Sequence, residues 1–109
     1  MAFEWGDFRD RILDGLKPLA EQTVGDALDA ARTDTEVFLE GSRQKLEFWT
    51  RALARGELDR DEFELLVGAR MTNLTMLALQ TAGVTQNALE RLRQGLVSLV
   101  IDTAFDLVL

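Results

Sequence analysis

The sequence predicts an all-α fold, and three observations carry that prediction. Apolar residues recur at intervals of three and four over long stretches, the spacing of one helix face. Two helix starts carry capping chemistry. There is one proline, and the eight glycines are scattered, so the turn chemistry of β-hairpins is not visible. The architecture expected is an antiparallel helical bundle with a long helix at about 18–55 and an apolar hairpin at 60–82/86–109. It forms one domain over 1–109, intertwined as a homo-oligomer.

The first element, within 1–16, is a short amphipathic segment with Phe3, Trp5, Phe8, Ile12 and Leu16 as its apolar members. The long helix follows. Pro18 suits a first helical position. From it to Arg55-Gly56 an apolar or small row runs through Ala20, Val24, Ala27, Ala31, Thr35, Phe38, Ser42, Leu46, Trp49 and Leu53. A competing break lies at Thr33-Asp34-Thr35-Glu36, where Thr33 and Glu36 fit a capping box. No hydrophobic staple accompanies it, and the expectation is a continuous helix.

The later boundaries are better marked. In Leu58-Asp59-Arg60-Asp61-Glu62-Phe63, Asp59 is an N-cap with Glu62 three residues on, and Leu58 and Phe63 form a staple. In Val84-Thr85-Gln86-Asn87-Ala88-Leu89, Thr85 is the cap, and Gly83 ends the preceding helix. Short connections make neighbours antiparallel. The turn near 56–59 then pairs positions summing to about 115, setting Trp49 against Leu66 and Phe38 against Leu77. The turn near 83–84 pairs positions summing to about 167.

This layout raises a question of cover. Helix 18–55 outruns its partners by roughly 24 Å. The unpartnered part still carries an apolar stripe through Leu19, Val24 and Leu28, so either the chain folds back at 33–35 into a four-helix monomer or a second subunit covers it. From Leu65 to Leu89 the only formal charge is Arg70, so helix 60–82 lacks the charged back of an outer helix. Helix 86–109 has a narrow polar stripe. Burying one exposed leucine or methionine is worth roughly 1.5–3 kcal/mol, so several together favour association. A homo-oligomer is expected, most simply a symmetric dimer. Its interface candidates are Leu65, Ala69, Met76, Leu79, Phe48, Trp49, Val24, Leu28 and Phe105. Phe48 and Trp49 are adjacent and cannot share a face.

Composition narrows the function. With no cysteine and no histidine, the chain lacks thiol nucleophiles, cysteine zinc sites and the commonest general base. The expectation is a non-enzymatic protein without cofactor or metal. Net charge is −7, and neither half is basic, which opposes nucleic-acid binding and anionic membranes. The N-terminus lacks the pattern of a secretory signal, which points to the cytoplasm. Segment 65–89 is too polar for a hydrocarbon span.

Arg70 could hold an anionic ligand, but the register offers it Glu47 and Asp102, and a structural ion pair is the better reading. Asp59, Asp61, Glu62 and Glu64 could suggest calcium. Phe63 occupies a ligand position and the required glycine is missing, so they read as carboxylates at a helix start. Asp102 and Asp106 read as a solvated stripe, because di-metal bundles expect Glu-x-x-His. The aromatics read as core, and Met71 and Met76 read as adaptable packing. Three functions remain: a structural or interaction protein working as a homo-oligomer or as a docking site for another protein, a lipid-surface or granule-associated protein, and a small-ligand carrier using the bundle interior through Arg70.

Overall fold

The computed structural model describes residues 3–109. It is all α-helical, with no strand among the described residues. The helices are α1 Trp5–Thr23, α2 Leu28–Ala54, α3 Arg60–Thr72, α4 Leu77–Thr81 and α5 Gln86–Val108. Four long elements run up and down in turn: α1, α2, α3 with its short continuation α4, and α5. Helix α1 packs on α2 and most extensively on α5, and α3 packs on α2 and α5, so the elements close into a bundle.

The helix expected over 18–55 is divided, and not at Thr33–Glu36. Helix α1 absorbs the amphipathic N-terminal segment, passes through Pro18 and stops at Thr23. Pro18 sits on an exposed side, where water can satisfy the carbonyl that its missing N–H leaves free. The stop is Gly25, whose φ of +60° is the left-handed conformation of a helix end. The apolar row runs through this turn without losing phase, because Val24, Ala27 and Leu28 still pack on the core. Thr33 and Glu36 make no capping box. The Thr33 hydroxyl donates to the Asp29 carbonyl, and Glu36 accepts from Arg9 of α1 at 2.9 Å.

Folding back at Gly25 answers the question of cover. Leu16, Ala20 and Ala31 are buried, and Leu19 rests over Gly95 of α5. Conversely Leu99 of α5 rests over Gly15 of α1. These two leucine-over-glycine contacts draw α1 and α5 together. Arg43 and Arg51 of α2 stack over the Trp5 and Phe3 rings at 5.4 and 5.7 Å. The radius of gyration is 13.6 Å, close to the roughly 13 Å of a compact domain this long. The accessible surface is 6221 Å², close to the roughly 6,100 Å² expected for a folded monomer of this mass. One copy therefore hides its own stripe. The large apolar side chains left exposed are Val37, Phe48, Leu65, Leu77 and Leu109.

Both caps read from the sequence are present. Asp59 accepts from the Glu62 amide at 2.8 Å while Glu62 accepts from the Asp59 amide at 3.1 Å. Thr85 accepts from the Ala88 amide at 3.2 Å. The register of α3 on α5 also holds, since the rings of Phe63 and Phe105 meet edge-on at 6.1 Å. The register of α2 on α3 is tighter than expected. Ser42 meets Arg70, and Asp34 meets Ala78, pairs that sum to 112 and centre on Gly56. The amides of Glu57 and Leu58 both bond back to the Ala52 carbonyl, so the chain reverses around Gly56, whose φ is +75°. The shift is about one helical turn. Helix 60–82 is also divided, between Thr72 and Leu77. No helix among the described residues is long and apolar enough to cross a membrane.

Candidate functional site: the kink between α3 and α4

The break between α3 and α4 begins with composition. Thr72, Asn73 and Thr75 are weak helix formers that compete for backbone hydrogen bonds. The Thr72 hydroxyl donates to the Gly68 carbonyl at 2.9 Å. Asn73 closes the helix, and Met76 then takes φ +54° and ψ +46°, a left-handed conformation unusual for a residue with a Cβ. That conformation costs roughly 1–2 kcal/mol. It turns the chain so that Met76 and Leu79 are buried while Leu77 between them is 67% exposed.

Two charged side chains from other helices hold the break open. Asp34 of α2 is 5% exposed. Its carboxylate oxygens accept from the amides of Ala78 and Leu79, at 3.0 and 2.8 Å. These are unpaired donors of the first turn of α4, and the negative charge sits at the positive end of that turn. On the other side, Arg93 of α5 donates through Nη1 to the carbonyls of Met71 and Leu74. The Gln80 side chain donates to the Thr75 carbonyl at 2.6 Å. The polar groups freed by breaking the helix are thus largely matched, as burial demands.

Beside the kink lies a cleft of about 660 Å³, lined by residues that include Thr33, Asp34, Val37, Leu74, Met76 and Leu77. Its walls are mostly apolar. A smaller hollow of about 220 Å³ continues from it past Val37 and Leu74 to Ser42 and Arg70.

The expected ion pair does not form. Arg70 donates to the Ser42 hydroxyl and to the Gly41 carbonyl, each at 2.8 Å. Glu47 lies about one turn out of reach in the tighter register and binds Arg43 at 2.6 Å and Arg51 at 3.1 Å on its own helix. The hydrogen bond from Arg43, joined by Arg51, holds the Glu47 carboxyl below the usual carboxylate range against the opposing effect of its partial desolvation. Asp102 is exposed and borders a groove with Pro18 and Gly95, on the α1 side of α5 and away from Arg70. The arginine that bridges elements at the kink is Arg93 of α5, which bonds to the end of α3 and the segment after it.

The interface candidates divide. Met76 and Leu79 are corrected to core positions, at 1% and 0% exposure, because the kink rotates them inward. Val24, Leu28, Trp49 and Phe105 are half-buried and pack against the core of their own copy. Arg60 covers the Phe105 ring at 4.8 Å. Leu65, Ala69 and Phe48 are exposed. Val37 and Leu77, which line the cleft, are not among the interface candidates read from the sequence. The available signal was the run from Met71 to Leu89, which carries no charge in a chain that is 28% charged. No cluster of side chains suited to a metal ion occurs among the described residues. Comparison with protein-family models, curated proteins and solved structures finds no match to this chain.

Proposed function

We propose that this chain is a non-enzymatic helical interaction protein that works in the cytoplasm as a homo-oligomer, with a dimer as its unit. One observation carries the reading. The fold accepts a left-handed Met76 and a buried Asp34, and the result is an exposed Leu77 beside an apolar cleft. An unbroken helix would avoid the strain, and strain of this kind concentrates where a surface has a task.

The other readings lose their motive. The apolar rows of α5 that suggested a lipid surface are occupied by core packing at Leu89, Leu92, Leu96, Val100 and Ala104. Arg70, the anchor of the ligand-carrier reading, is bonded to α2 and does not point into the bundle centre. Light scattering on the eluting protein tests the proposal. The expected mass is twice the chain's 12.2 kDa. A monomer mass throughout the micromolar range would refute it.

A further inference from the structure

We infer that two copies pair through the kink face itself, Leu77 of each copy entering the cleft of the other against its Val37. This deepens the proposed homo-oligomer and rests on it.

The argument starts from charge. Each copy carries −7, so two copies repel unless the surfaces brought together are neutral. The stretch from Met71 to Leu89 supplies such a surface. It contains no charged residue, yet Asn73, Thr75, Leu77, Gln80 and Thr81 are exposed along it. The one acid in the cleft wall, Asp34, is buried with both oxygens bonded to amides, and it presents little charge outward. A basic partner would find no free carboxylate in this wall, so the face suits a neutral surface.

Shape makes the same case. A two-fold contact uses one patch twice, so the patch must hold a projection and a recess side by side. Leu77 at 67% and Val37 at 61% exposure are the projections, and the cleft of about 660 Å³ between them is the recess. Phe48 and Leu65 are as exposed, but neither lines the cleft or its continuation. The bonds from Asp34 and Arg93 fix Leu77 before any partner arrives, which lowers the entropic cost of pairing.

Sedimentation velocity from about 10 to about 500 µM separates the outcomes. The proteins are wild type, Leu77→Asn, Val37→Lys and Leu65→Asp, each checked for an unchanged helical circular-dichroism spectrum. Asparagine is used at Leu77 because a new carboxylate there would face Asp34. Each of the first two substitutions acts twice per dimer and is expected to raise the dimer Kd by about 100-fold or more. Leu65→Asp should leave it within about threefold. Raising salt from about 0.05 to about 0.5 M should tighten the wild-type dimer by about three- to tenfold, because screening weakens the mutual repulsion. A dimer that ignores Leu77→Asn and Val37→Lys, that weakens with salt, or that Leu65→Asp disrupts would overturn the assigned face while leaving self-association standing. A wild type that stays monomeric at every concentration and salt would overturn both.

Discussion

Asp34 and Arg93 grip opposite ends of one chain break from two different helices. Asp34 takes the amides that open α4, and Arg93 supplies donors to carbonyls at and beyond the close of α3. An anion at a helix start and a cation at a helix end are each the favourable sign for the local dipole. Each reaches from its own helix to a segment distant in sequence. Together they stabilise a kink that the local sequence would otherwise leave frayed.

Removing either grip should be costly, and the costs should not add. Asp34→Ala strands two amides and is expected to destabilise by about 2–4 kcal/mol. Asp34→Asn keeps one acceptor and should cost about half as much. Arg93→Ala frees two carbonyls in a half-buried place and should cost about 1.5–3 kcal/mol. Because both act on the same segment, the double variant should lose at least about 1 kcal/mol less than the sum. Urea unfolding measures all of these, and strict additivity would contradict a shared element.

Met76 offers a test of backbone strain. Its side chain is buried at 1% exposure, so Met76→Ala should cost about 2–5 kcal/mol. Within a helix, glycine is normally about 1 kcal/mol worse than alanine. At φ +54° the order should invert, with Met76→Gly more stable than Met76→Ala by about 1 kcal/mol. Thermal unfolding of the two variants side by side decides the point. Alanine equal to or better than glycine would mean that the segment straightens once the methionine is gone.

Much of this fold was legible because its signals are local. The Asp59–Glu62 box, the Thr85 cap and Gly83 each involve residues a few positions apart, and each lies where the spacing predicts. The missed features depend on partners distant in sequence. Gly25 ends α1, yet the apolar row crosses it in phase because both helices face the same core. Asp34 looked like part of a local cap and is instead the cap of a helix 44 residues away. The one-turn shift of α2 on α3 came from how tightly the chain wraps at Gly56. That shift alone exchanged Glu47 for Ser42 as the neighbour of Arg70. The cleft was missed for the same reason, since it exists only where the kink and α2 meet.

Glu47 gives the acid limb of stability a defined contribution. The hydrogen bond from Arg43, and then that from Arg51, holds its carboxyl below its ordinary value in the folded chain. The unfolded chain therefore takes up this proton first as pH falls. The associated stability is fully present above the unfolded value of about 4.3 and disappears as pH drops through the folded one. Glu47→Gln should lower the melting temperature slightly at neutral pH, with the difference from wild type closing at strongly acidic pH. A difference that instead widened on acidification would reverse the assignment. Because Glu47 does not contact Arg70, the effects of Glu47→Gln and Arg70→Ala should add to within about 0.5 kcal/mol.

The contact between α1 and α5 makes the last prediction one of sign. A Cβ at Gly15 would lie 2.6 Å from Cδ1 of Leu99, while one at Gly68 on α3 would meet nothing within 4 Å. Alanine favours a helix over glycine by about 1 kcal/mol. Gly68→Ala should therefore stabilise by about that amount. Gly15→Ala gains the same propensity but forces the end of Leu99 to move, an overpacking cost of about 1–3 kcal/mol. Its net effect should be neutral to destabilising, and Gly95→Ala under Leu19 should behave alike. The clash is with a flexible side chain and not with backbone, so shortening that side chain should relieve it. Leu99→Ala should cost at least about 0.5 kcal/mol less in the Gly15→Ala background than in the wild type. If Gly15→Ala and Gly68→Ala proved equally stabilising, α1 and α5 would not be in the close contact through which α5 covers the apolar side of α1.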